Sequence, residues 1–249
     1  MSILRVLWRF FLLLGHMLAG IWLSLHIKKV TLPDGNRLPD PQPVARWSAR
    51  LLTIMGIKVI TQGEPPETTG LIVANHISWV DIPTINSLTG AAFLSKDSIR
   101  YWPLVGWFAI ASGTVFIRRG KHEAQRVSAA IAERLLEGRN LAIFPEGTTS
   151  DGRQVKRFFP RIFGAAIDTH SPVIPIALRY TCNGELDQRI PYTKGRSFFL
   201  ILFNVLARKH SEVHVYFCAP VSTVDQDRRS VADAAHAAIQ AALAAASDD

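Results

Sequence analysis

The sequence is poor in cysteine, and its two cysteines, Cys182 and Cys218, form neither a close pair nor a metal-binding spacing. This pattern argues against a small secreted domain held by disulfides and against a cysteine-based zinc site. We therefore interpret both thiols as reduced side chains of a protein whose folded part lies in the cytoplasm.

The motifs of several enzyme and binding classes are also missing. The chain has no Gly-x-Ser-x-Gly elbow, no His-Glu-x-x-His pair and no Walker phosphate loop. It has neither zinc-finger spacing nor an RNA-binding aromatic signature. The net charge is nevertheless +8, so the expected partners are anionic lipids or phosphorylated substrates rather than nucleic acid.

Apolar residues make up 48% of the chain, the upper end for a soluble protein, and the excess is concentrated in the run from Phe10 to Ile27. A membrane-spanning helix needs about 20 apolar residues, so this run is marginal for a span and can equally lie in the membrane surface. Arg5 and Arg9 precede it, as in a secretory signal peptide, but no small-residue cleavage site follows before Lys28. We expect membrane association, with the catalytic part at the cytoplasmic face of the inner membrane.

A second amphipathic segment runs from Pro43 to Met55, with Val44, Trp47 and Leu51 at helical spacing. It is either an interfacial membrane helix or a helix that packs on the core. We divide the chain into membrane-associated helices at residues 1–56 and a catalytic domain at residues 57–249.

From residue 57 onward, short apolar runs alternate with segments of helical periodicity, which predicts an α/β fold with helices on the faces of one sheet. Strands are predicted at 57–61, 71–74, 91–94, 114–117, 141–144, 173–178 and 213–217, and helices at 82–88, 124–137, 161–169, 198–207 and from 230 onward. Functional residues in such sheets tend to follow the strand ends, and two of these strands lead directly into polar clusters.

The first polar cluster follows the strand at 71–74 and contains Asn75, His76 and Asp81. A turn entering a helix can bring Asp81 back to the imidazole, where its carboxylate fixes the tautomer and stabilises the imidazolium. A general base that activates an alcohol needs this arrangement. The alternative is a structural histidine beside an aspartate that complements a helix N-terminus.

The second polar cluster follows the strand at 141–144 and reads Pro145-Glu146-Gly147-Thr148-Thr149-Ser150. Gly147 permits close backbone approach, and the hydroxyls and nearby amides can bind an anion. The alternative is an ordinary polar loop.

A third cluster combines Gly113 and Phe116 with Arg118 and Arg119, which follow a predicted strand. Arginine is suited to bidentate recognition of phosphate. The alternative is a solvated basic loop.

Taken in order, these clusters resemble the motifs of the glycerolipid acyltransferase superfamily, of the lysophosphatidic acid acyltransferase type. The resemblance covers residues 58–220 and implies a single mixed-sheet α/β domain after the N-terminal segment. The matched positions are Asn75, His76 and Asp81, then Gly113, Phe116, Ile117 and Arg119, then Phe144 to Thr148, and the Val173-Ile174-Pro175-Ile176 strand.

The resemblance implies that His76 is the catalytic base and that Asp81 orients it. It assigns Arg119 to the acceptor phosphate and places Lys96 where many members carry a basic residue. The other implied substrate-binding residues are Gly113, Phe116, Glu146, Gly147, Thr148 and Thr149. The implied reaction is direct acyl transfer from acyl-CoA or acyl carrier protein to a lysolipid, with no metal and no cofactor.

One position departs from the commoner pattern, because many lysophosphatidate-using members have arginine where this chain has Thr149. Members with threonine resemble enzymes that acylate other lysolipids, including lyso-ornithine lipid. From the sequence we favour 1-acyl-sn-glycerol-3-phosphate as the acceptor, with lyso-ornithine lipid as the alternative. Two other classes stay open: a non-catalytic lipid-binding protein and a thioester hydrolase.

Overall fold

The computed structural model describes residues 3–31, 37–65, 67–102, 104–117 and 123–246. The chain begins with a long helix, α1 (Ile3–His26), and a small antiparallel hairpin of β1 (Lys29–Thr31) and β2 (Arg37–Pro39). Helix α2 (Pro41–Met55) follows. Asp40 caps α2 through a hydrogen bond from the Gln42 amide to its carboxylate (3.0 Å), and Pro41 occupies the first turn, where no amide donor is needed.

The centre of the molecule is one mixed sheet in which a two-strand unit joins a parallel block. The strands are β3 (Ile57–Gln62), β4 (Leu71–Ala74), β5 (Ala92–Lys96), β6 (Val115–Ile117), β7 (Leu141–Ile143), β8 (Val173–Cys182), β9 (Glu185–Leu186) and β10 (Ser211–Phe217). Their order is β3-β10-β8-β4-β7-β5-β6, with β9 paired to β8. Strands β8, β4, β7, β5 and β6 run parallel, whereas β10 is antiparallel to β8 and parallel to β3.

Helices cover both faces of the sheet. They are α3 (Asp81–Thr89), α4 (Val105–Ala111), α5 (Glu123–Leu136), α6 (Gly164–Asp168), α7 (Phe198–Ala207) and α8 (Arg228–Ala245), with 3₁₀ turns at Asp97–Tyr101 and Pro160–Phe163. One apolar cluster packs α2, α3 and α7 on one face, and a second packs α5, α6 and α8 on the other. Strand β4 is buried along its whole length because it lies between these two clusters.

The predicted α/β architecture is confirmed, while several short elements were not predicted. Strands β1, β2 and β9 have only two or three residues each, too few to show an alternating pattern. The helix predicted at 161–169 is a 3₁₀ turn followed by the five-residue α6. Helix α4 was missed because it is apolar on every side and has no polar face to give a helical period.

Helix α1 lies along the domain instead of projecting from it. Near its start, the Arg9 guanidinium donates hydrogen bonds to carbonyls at the end of α7 and just after it, those of Leu206, Arg208 and Lys209, at 3.2, 2.5 and 2.9 Å. In its middle, the His16 ring stacks on Trp47 of α2, with a centroid distance of 4.7 Å. These contacts hold α1 against the domain along most of its length.

Helix α2 is a core-packing helix, the second of the two interpretations that its sequence allowed. Ala45, Leu51, Leu52 and Met55 are buried against the sheet and α3. Its arginines face away from this core. The division of the chain at residue 57 stays a prediction.

Candidate active site

The first polar cluster places a histidine and an aspartate in direct contact. The His76 Nδ1 atom lies 2.8 Å from the Asp81 carboxylate, and the Asp81 side chain is fully buried. The His76 side chain keeps 19% of its surface exposed, so a substrate can reach the ring. Its imidazole stacks flat on the Phe144 ring at 3.8 Å between centroids, which limits rotation of the imidazole.

The Asp81 carboxylate accepts hydrogen bonds from three further donors. The amides of Ile77 and Ser78 lie 2.7 and 2.9 Å from its Oδ2 atom, and the Tyr180 hydroxyl donates to Oδ1 at 2.8 Å. Burial raises the pKa of Tyr180 well above its ordinary value, so this hydroxyl stays a proton donor. Four donors on one buried carboxylate satisfy its oxygens and fix its orientation toward His76.

Backbone hydrogen bonds hold the loop that carries His76 at the end of β4. The Asn75 side chain pairs with the Leu178 backbone of β8 in both directions, at 2.8 and 3.0 Å. The Ser150 amide donates to the His76 carbonyl at 2.7 Å, and the Tyr192 amide donates to the Ile77 carbonyl at 2.8 Å. The loop therefore has little freedom, which suits a preorganised catalytic group.

Glu146 lies beside this loop as a nearly fully buried carboxyl group. Its Oε1 atom accepts the His76 amide hydrogen at 2.9 Å, and its Oε2 atom accepts that of Lys156 at 3.3 Å. Burial raises its pKa to about 7, although both hydrogen bonds and the charges of His76 and Lys156 act in the opposite direction. Glu146 thus joins the backbone of the His76 loop to the backbone of the Lys156 segment.

The raised pKa of Glu146 predicts a pH-dependent contribution to stability. Between its ordinary value of 4.5 and about 7, the folded state binds the proton more tightly than the unfolded state does. The contribution is full below pH 4.5 and is lost as the pH rises through 7. Relative to wild type, Glu146→Gln should therefore become progressively more stable between pH 5 and pH 8, measured by thermal unfolding.

The glutamine side chain also loses one acceptor, but that cost is the same at every pH, so only the slope is diagnostic. Glu185→Gln, which neutralises an exposed carboxylate in β9, is the matched control and should show no such slope. A Glu146→Gln difference that stays constant with pH would contradict this account.

After Glu146 the loop turns outward at Gly147 and is buried again at Ser150. Gly147 has a φ of +67°, and an added Cβ atom would lie 3.1 Å from the Phe159 ring, so glycine fits both the backbone and the contact. Thr148 is exposed. The Thr149 hydroxyl donates a hydrogen bond to the Tyr192 carbonyl, and the Lys156 ammonium donates to the Thr149 carbonyl at 2.7 Å. The positively charged Lys156 side chain therefore lies beside Thr149, the position at which many lysophosphatidate-using members have arginine.

The residues predicted on β5 and β6 are spread along these strands. Lys96, at the carboxyl end of β5, is exposed and pairs in register with Ile117. The carboxyl ends of these parallel strands lie at the same edge of the sheet as the loop after β4, so Lys96 shares that edge with His76. Phe116 lies one residue earlier on β6, with the Arg100 guanidinium 4.9 Å above its ring.

Of the two remaining predicted residues, Gly113 and Arg119, the structure describes only Gly113. Gly113 precedes β6 and lines a cavity of about 290 Å³ at the amino ends of the strands, with Gly138 and Asn140 as neighbours. The structure therefore does not bring Gly113 together with His76. Arg119 lies outside the described residues, so its role as a phosphate ligand stays a prediction.

Within the part of the chain that the structure describes, no three His, Cys, Asp or Glu side chains are grouped closely enough to hold a metal ion. The sequence reasoning missed the roles of Tyr180, Lys156 and Phe144 in this site. Tyr180 follows the predicted strand at 173–178 and gave no separate signal. The Lys156 bond to Glu146 comes through its backbone amide, for which residue type is no guide.

Three comparisons with known proteins agree with this geometry. A sequence model of the acyltransferase family matches residues 55–179, half of the chain. Lyso-ornithine lipid O-acyltransferase of Pseudomonas aeruginosa is 37% identical over 248 residues, which cover 98% of this chain and 95% of that protein. The enzyme of the same name from Rhodobacter capsulatus is 32% identical, with 91% and 86% covered.

A 1-acyl-sn-glycerol-3-phosphate acyltransferase of Neisseria meningitidis is 30% identical over 176 residues, 70% of this chain and 69% of that protein. The crystal structure of the 1-acyl-sn-glycerophosphate acyltransferase PlsC from Thermotoga maritima shares the fold. Its TM-score is 0.67 at 20% identity, with 98% and 96% of the two chains covered.

The fold, the site and these matches define the protein as an acyltransferase, and the chain belongs to the acyltransferase family. Within this class it is a lysolipid O-acyltransferase of the glycerolipid acyltransferase superfamily.

Proposed function

We propose that this enzyme transfers a fatty acyl group from the thioester of acyl-CoA or acyl carrier protein to the free hydroxyl of a lyso-ornithine lipid. The observation that carries the catalytic part is the 2.8 Å contact between His76 Nδ1 and the fully buried Asp81 carboxylate. This contact leaves the Nε2 atom of His76 as the proton acceptor, because Asp81 fixes the proton on Nδ1.

In the proposed reaction, the lipid hydroxyl gives its proton to His76 Nε2 while its oxygen attacks the thioester carbonyl carbon. The resulting tetrahedral intermediate collapses, the carbon–sulfur bond breaks and the ester forms. The imidazolium returns its proton to the departing sulfur, so the products are the diacyl lipid and a free thiol. The Asp81 carboxylate stabilises the imidazolium, and no acyl-enzyme, metal ion or cofactor takes part.

The relatives that match nearly the whole chain support lyso-ornithine lipid over lysophosphatidate as the acceptor. Two of them are named for that activity and cover 98% and 91% of this chain, whereas the Neisseria glycerophosphate enzyme covers 70%. The sequence alone favoured lysophosphatidate, which is now the second candidate.

The charges around Thr149 also suit an ornithine headgroup, which carries a carboxylate and an ammonium. The Lys156 ammonium donates a hydrogen bond to the Thr149 carbonyl. The exposed Asp151 carboxylate follows two residues later, with the Arg153 Nε atom 4.0 Å away. Cationic and anionic side chains therefore both flank the loop. A phosphate monoester would need cations without the neighbouring carboxylate.

The acceptor can be tested with the substitution Thr149→Arg. It places a second cation beside Lys156 and removes the Thr149–Tyr192 hydrogen bond. We expect kcat/KM for lyso-ornithine lipid to fall about tenfold, because the added charge opposes the ornithine ammonium. Turnover of lysophosphatidate should stay the same or improve. The measurement is product formation from the two acceptors, side by side, for wild type and variant.

Thr149→Ser is the matched control, because it keeps the hydroxyl donor and adds no charge. It should leave both acceptors within about twofold of wild type, well under 1 kcal/mol. Wild-type turnover of lysophosphatidate with none of lyso-ornithine lipid would overturn the proposed acceptor. Acyl release to water, unchanged by any lysolipid, would point to a hydrolase instead.

We also propose that α1 lies in the plane of the membrane at its cytoplasmic face. By length and composition α1 is apolar enough to cross a membrane. It is, however, tied to the domain from Arg9 near its start to Ser24, whose hydroxyl accepts the Trp107 indole hydrogen at 2.6 Å. Its outer side exposes an apolar stripe at three- and four-residue spacing: Leu4, Leu7, Trp8, Phe11, Leu14, Leu18, Trp22 and Leu25.

Removing aromatic area from this stripe should weaken membrane binding without unfolding the domain. Trp8 and Phe11 are 66% and 64% exposed, so Trp8→Ser/Phe11→Ser removes few internal contacts. Each buried ring contributes roughly 2 kcal/mol, so partitioning into vesicles should fall at least tenfold, measured by flotation. Leu136→Ser, which removes an exposed leucine from α5 on the opposite face, should leave flotation unchanged.

The orientation can be tested with cysteines placed at either end of α1 in a background without Cys182 and Cys218. An impermeant maleimide should label Ile3→Cys and Lys28→Cys from the same side of the membrane if α1 lies in the plane. Labelling from opposite sides would show that α1 spans the bilayer.

A further inference from the structure

A shallow basic cavity, wide open to solvent, lies on the face of the sheet away from α1, between the segment after Lys156 and the start of α8. Its volume is about 700 Å³, and three arginines line it: Arg157, Arg228 and Arg229. Its floor includes the apolar side chains Pro160 and Ile167. We call this site the basic cavity.

Two of the three arginines of the basic cavity, Arg157 and Arg228, are available to a ligand. Among the described residues, no carboxylate forms an ion pair with Arg157 or Arg228. Two carboxylates, Asp168 and Asp227, also line the cavity. Asp227 caps α8 by accepting the amide hydrogens of Arg229 and Ser230 at 2.7 and 3.1 Å, and Asp168 is exposed. The three arginines therefore outnumber the two carboxylates of the cavity by one charge.

Arg228 is held in place by packing against Gly164, which has no side chain. The Nε atom of Arg228 would lie 2.8 Å from a Cβ atom added at Gly164, so the side chain packs directly over the bare glycine. This packing reduces the conformational freedom that an exposed arginine would lose on binding. It fixes one cation at the edge of the cavity.

The basic cavity adjoins the active site through a single stretch of chain. The Lys156 amide donates to Glu146, and the Phe159 amide donates to the Pro145 carbonyl at 3.0 Å. The intervening Arg157 and the following Pro160 line the cavity. Residues 156–160 therefore separate the Glu146 loop from the cavity by the thickness of one chain segment.

The two sides of the sheet differ in the substrate that can reach them. The exposed apolar stripe of α1 lies on the side of α2 and α7, where a lipid acceptor would arrive. The basic cavity lies on the side of α6 and α8, with the exposed arginines facing water. A water-soluble, phosphorylated substrate would approach from this second side.

We infer that the basic cavity binds the phosphate-bearing end of the acyl donor, the phosphate of a phosphopantetheine thioester. This inference rests on the proposed function, since it assigns the second substrate of the same reaction. A guanidinium group can donate two parallel hydrogen bonds to phosphate oxygens. The apolar side chains of the cavity can contact the carbon chain that follows the phosphate. The donor is either acyl-CoA or acyl carrier protein, and both carry a phosphate ester on the pantetheine arm.

The test uses the double variant Arg157→Gln/Arg229→Gln, which leaves Arg228 on Gly164 undisturbed. Coenzyme A and holo acyl carrier protein are titrated against wild type and variant by calorimetry, without turnover. We expect Kd for at least one of them to rise tenfold or more, and the carrier that responds identifies the source of the phosphate. High salt should also raise Kd of the wild type for this carrier, because salt screens the charges of the arginines.

Turnover gives a second readout. The variant should raise KM for the phosphorylated donor by a similar factor and leave KM for the lysolipid unchanged. Transfer from S-acyl-N-acetylcysteamine, which has no phosphate, should keep its wild-type kcat/KM. Arg189→Gln/Lys194→Gln removes two exposed positive charges from the loop after β9 and serves as the matched control.

Several outcomes would overturn the inference. One is equal loss on donors with and without phosphate, and another is a change in KM for the lysolipid alone. Failure of wild type to bind either carrier, or an unchanged Kd in the variant, would do the same. Failure of the proposed function has a different signature: carriers bind through the cavity, yet no lysolipid is acylated.

Discussion

His76→Ala should lower the turnover of acyl transfer by about 10²–10⁴-fold, the usual loss when a general base is removed. The physical reason is that the lipid hydroxyl is a weak nucleophile until a base takes its proton as the new bond forms. The side chain of His76 contacts Phe144 and Asp81, whereas the surrounding loop is held by backbone bonds that alanine retains. The variant should therefore fold.

The measurement is kcat with saturating donor and lysolipid, normalised to the folded fraction from thermal unfolding. Added imidazole should restore part of the activity of His76→Ala, because the space beside Phe144 matches the missing ring. His210→Ala, at an exposed histidine, is the matched control and should retain wild-type turnover. Near-normal kcat in folded His76→Ala would rule out the proposed mechanism.

Asp81→Asn should lower kcat by about 10²-fold or more, because a carboxamide can neither fix the reactive tautomer of His76 nor stabilise the imidazolium. It should also reduce the free energy of unfolding by about 1–3 kcal/mol. The Asp81 carboxylate accepts four hydrogen bonds, and the amide group of asparagine cannot accept at both positions.

Tyr180→Phe tests whether the loss of kcat in Asp81→Asn comes from the contact between Asp81 and His76 or from the loss of hydrogen bonds to Asp81 in general. It removes the single hydroxyl donor to Asp81 Oδ1 and leaves the three bonds to Oδ2 in place. We expect its kcat to stay within about tenfold of wild type, because the Oδ2 contacts of Asp81 with His76 and the two amides are unchanged. If Asp81→Asn loses no more activity than Tyr180→Phe, Asp81 does not orient the base.

Part of the active site could be predicted from the sequence because its groups are close along the chain. His76 and Asp81 are five residues apart, and a turn into a helix brings such residues together whatever the rest of the fold does. Helix α3 begins at Asp81, as that reasoning required. The Glu146 loop was likewise predictable, since polar residues directly follow the apolar strand β7.

The contacts that hold the site rigid could not be predicted in this way. Asn75 pairs with Leu178 across 103 residues of chain, and Tyr180 meets Asp81 across 99. These pairs depend on β4 lying beside β8, and strand order in a sheet is not encoded by local periodicity. The raised pKa of Glu146 has the same origin, because its burial comes from packing against distant segments.

Gly113 is the opposite case, a residue that the sequence assigned to the site and that the fold places elsewhere. It belongs to the motif that resembles the family pattern, yet it precedes β6 and lies at the amino ends of the strands. Ile117, at the other end of β6, is the residue that pairs with Lys96 at the edge shared with His76. A motif gives the order of residues along a strand, and only the sheet tells which end faces the site.

The sequence by itself determined the chemical groups, their order and the α/β alternation, because each depends on neighbours within a few residues. It also determined that an apolar N-terminal helix exists. The tertiary structure alone decided that this helix lies along the domain, that Asp81 has four donors and that three arginines converge on one cavity. Each of these depends on long-range packing, in which strand order and helix docking bring together side chains that are far apart in the chain.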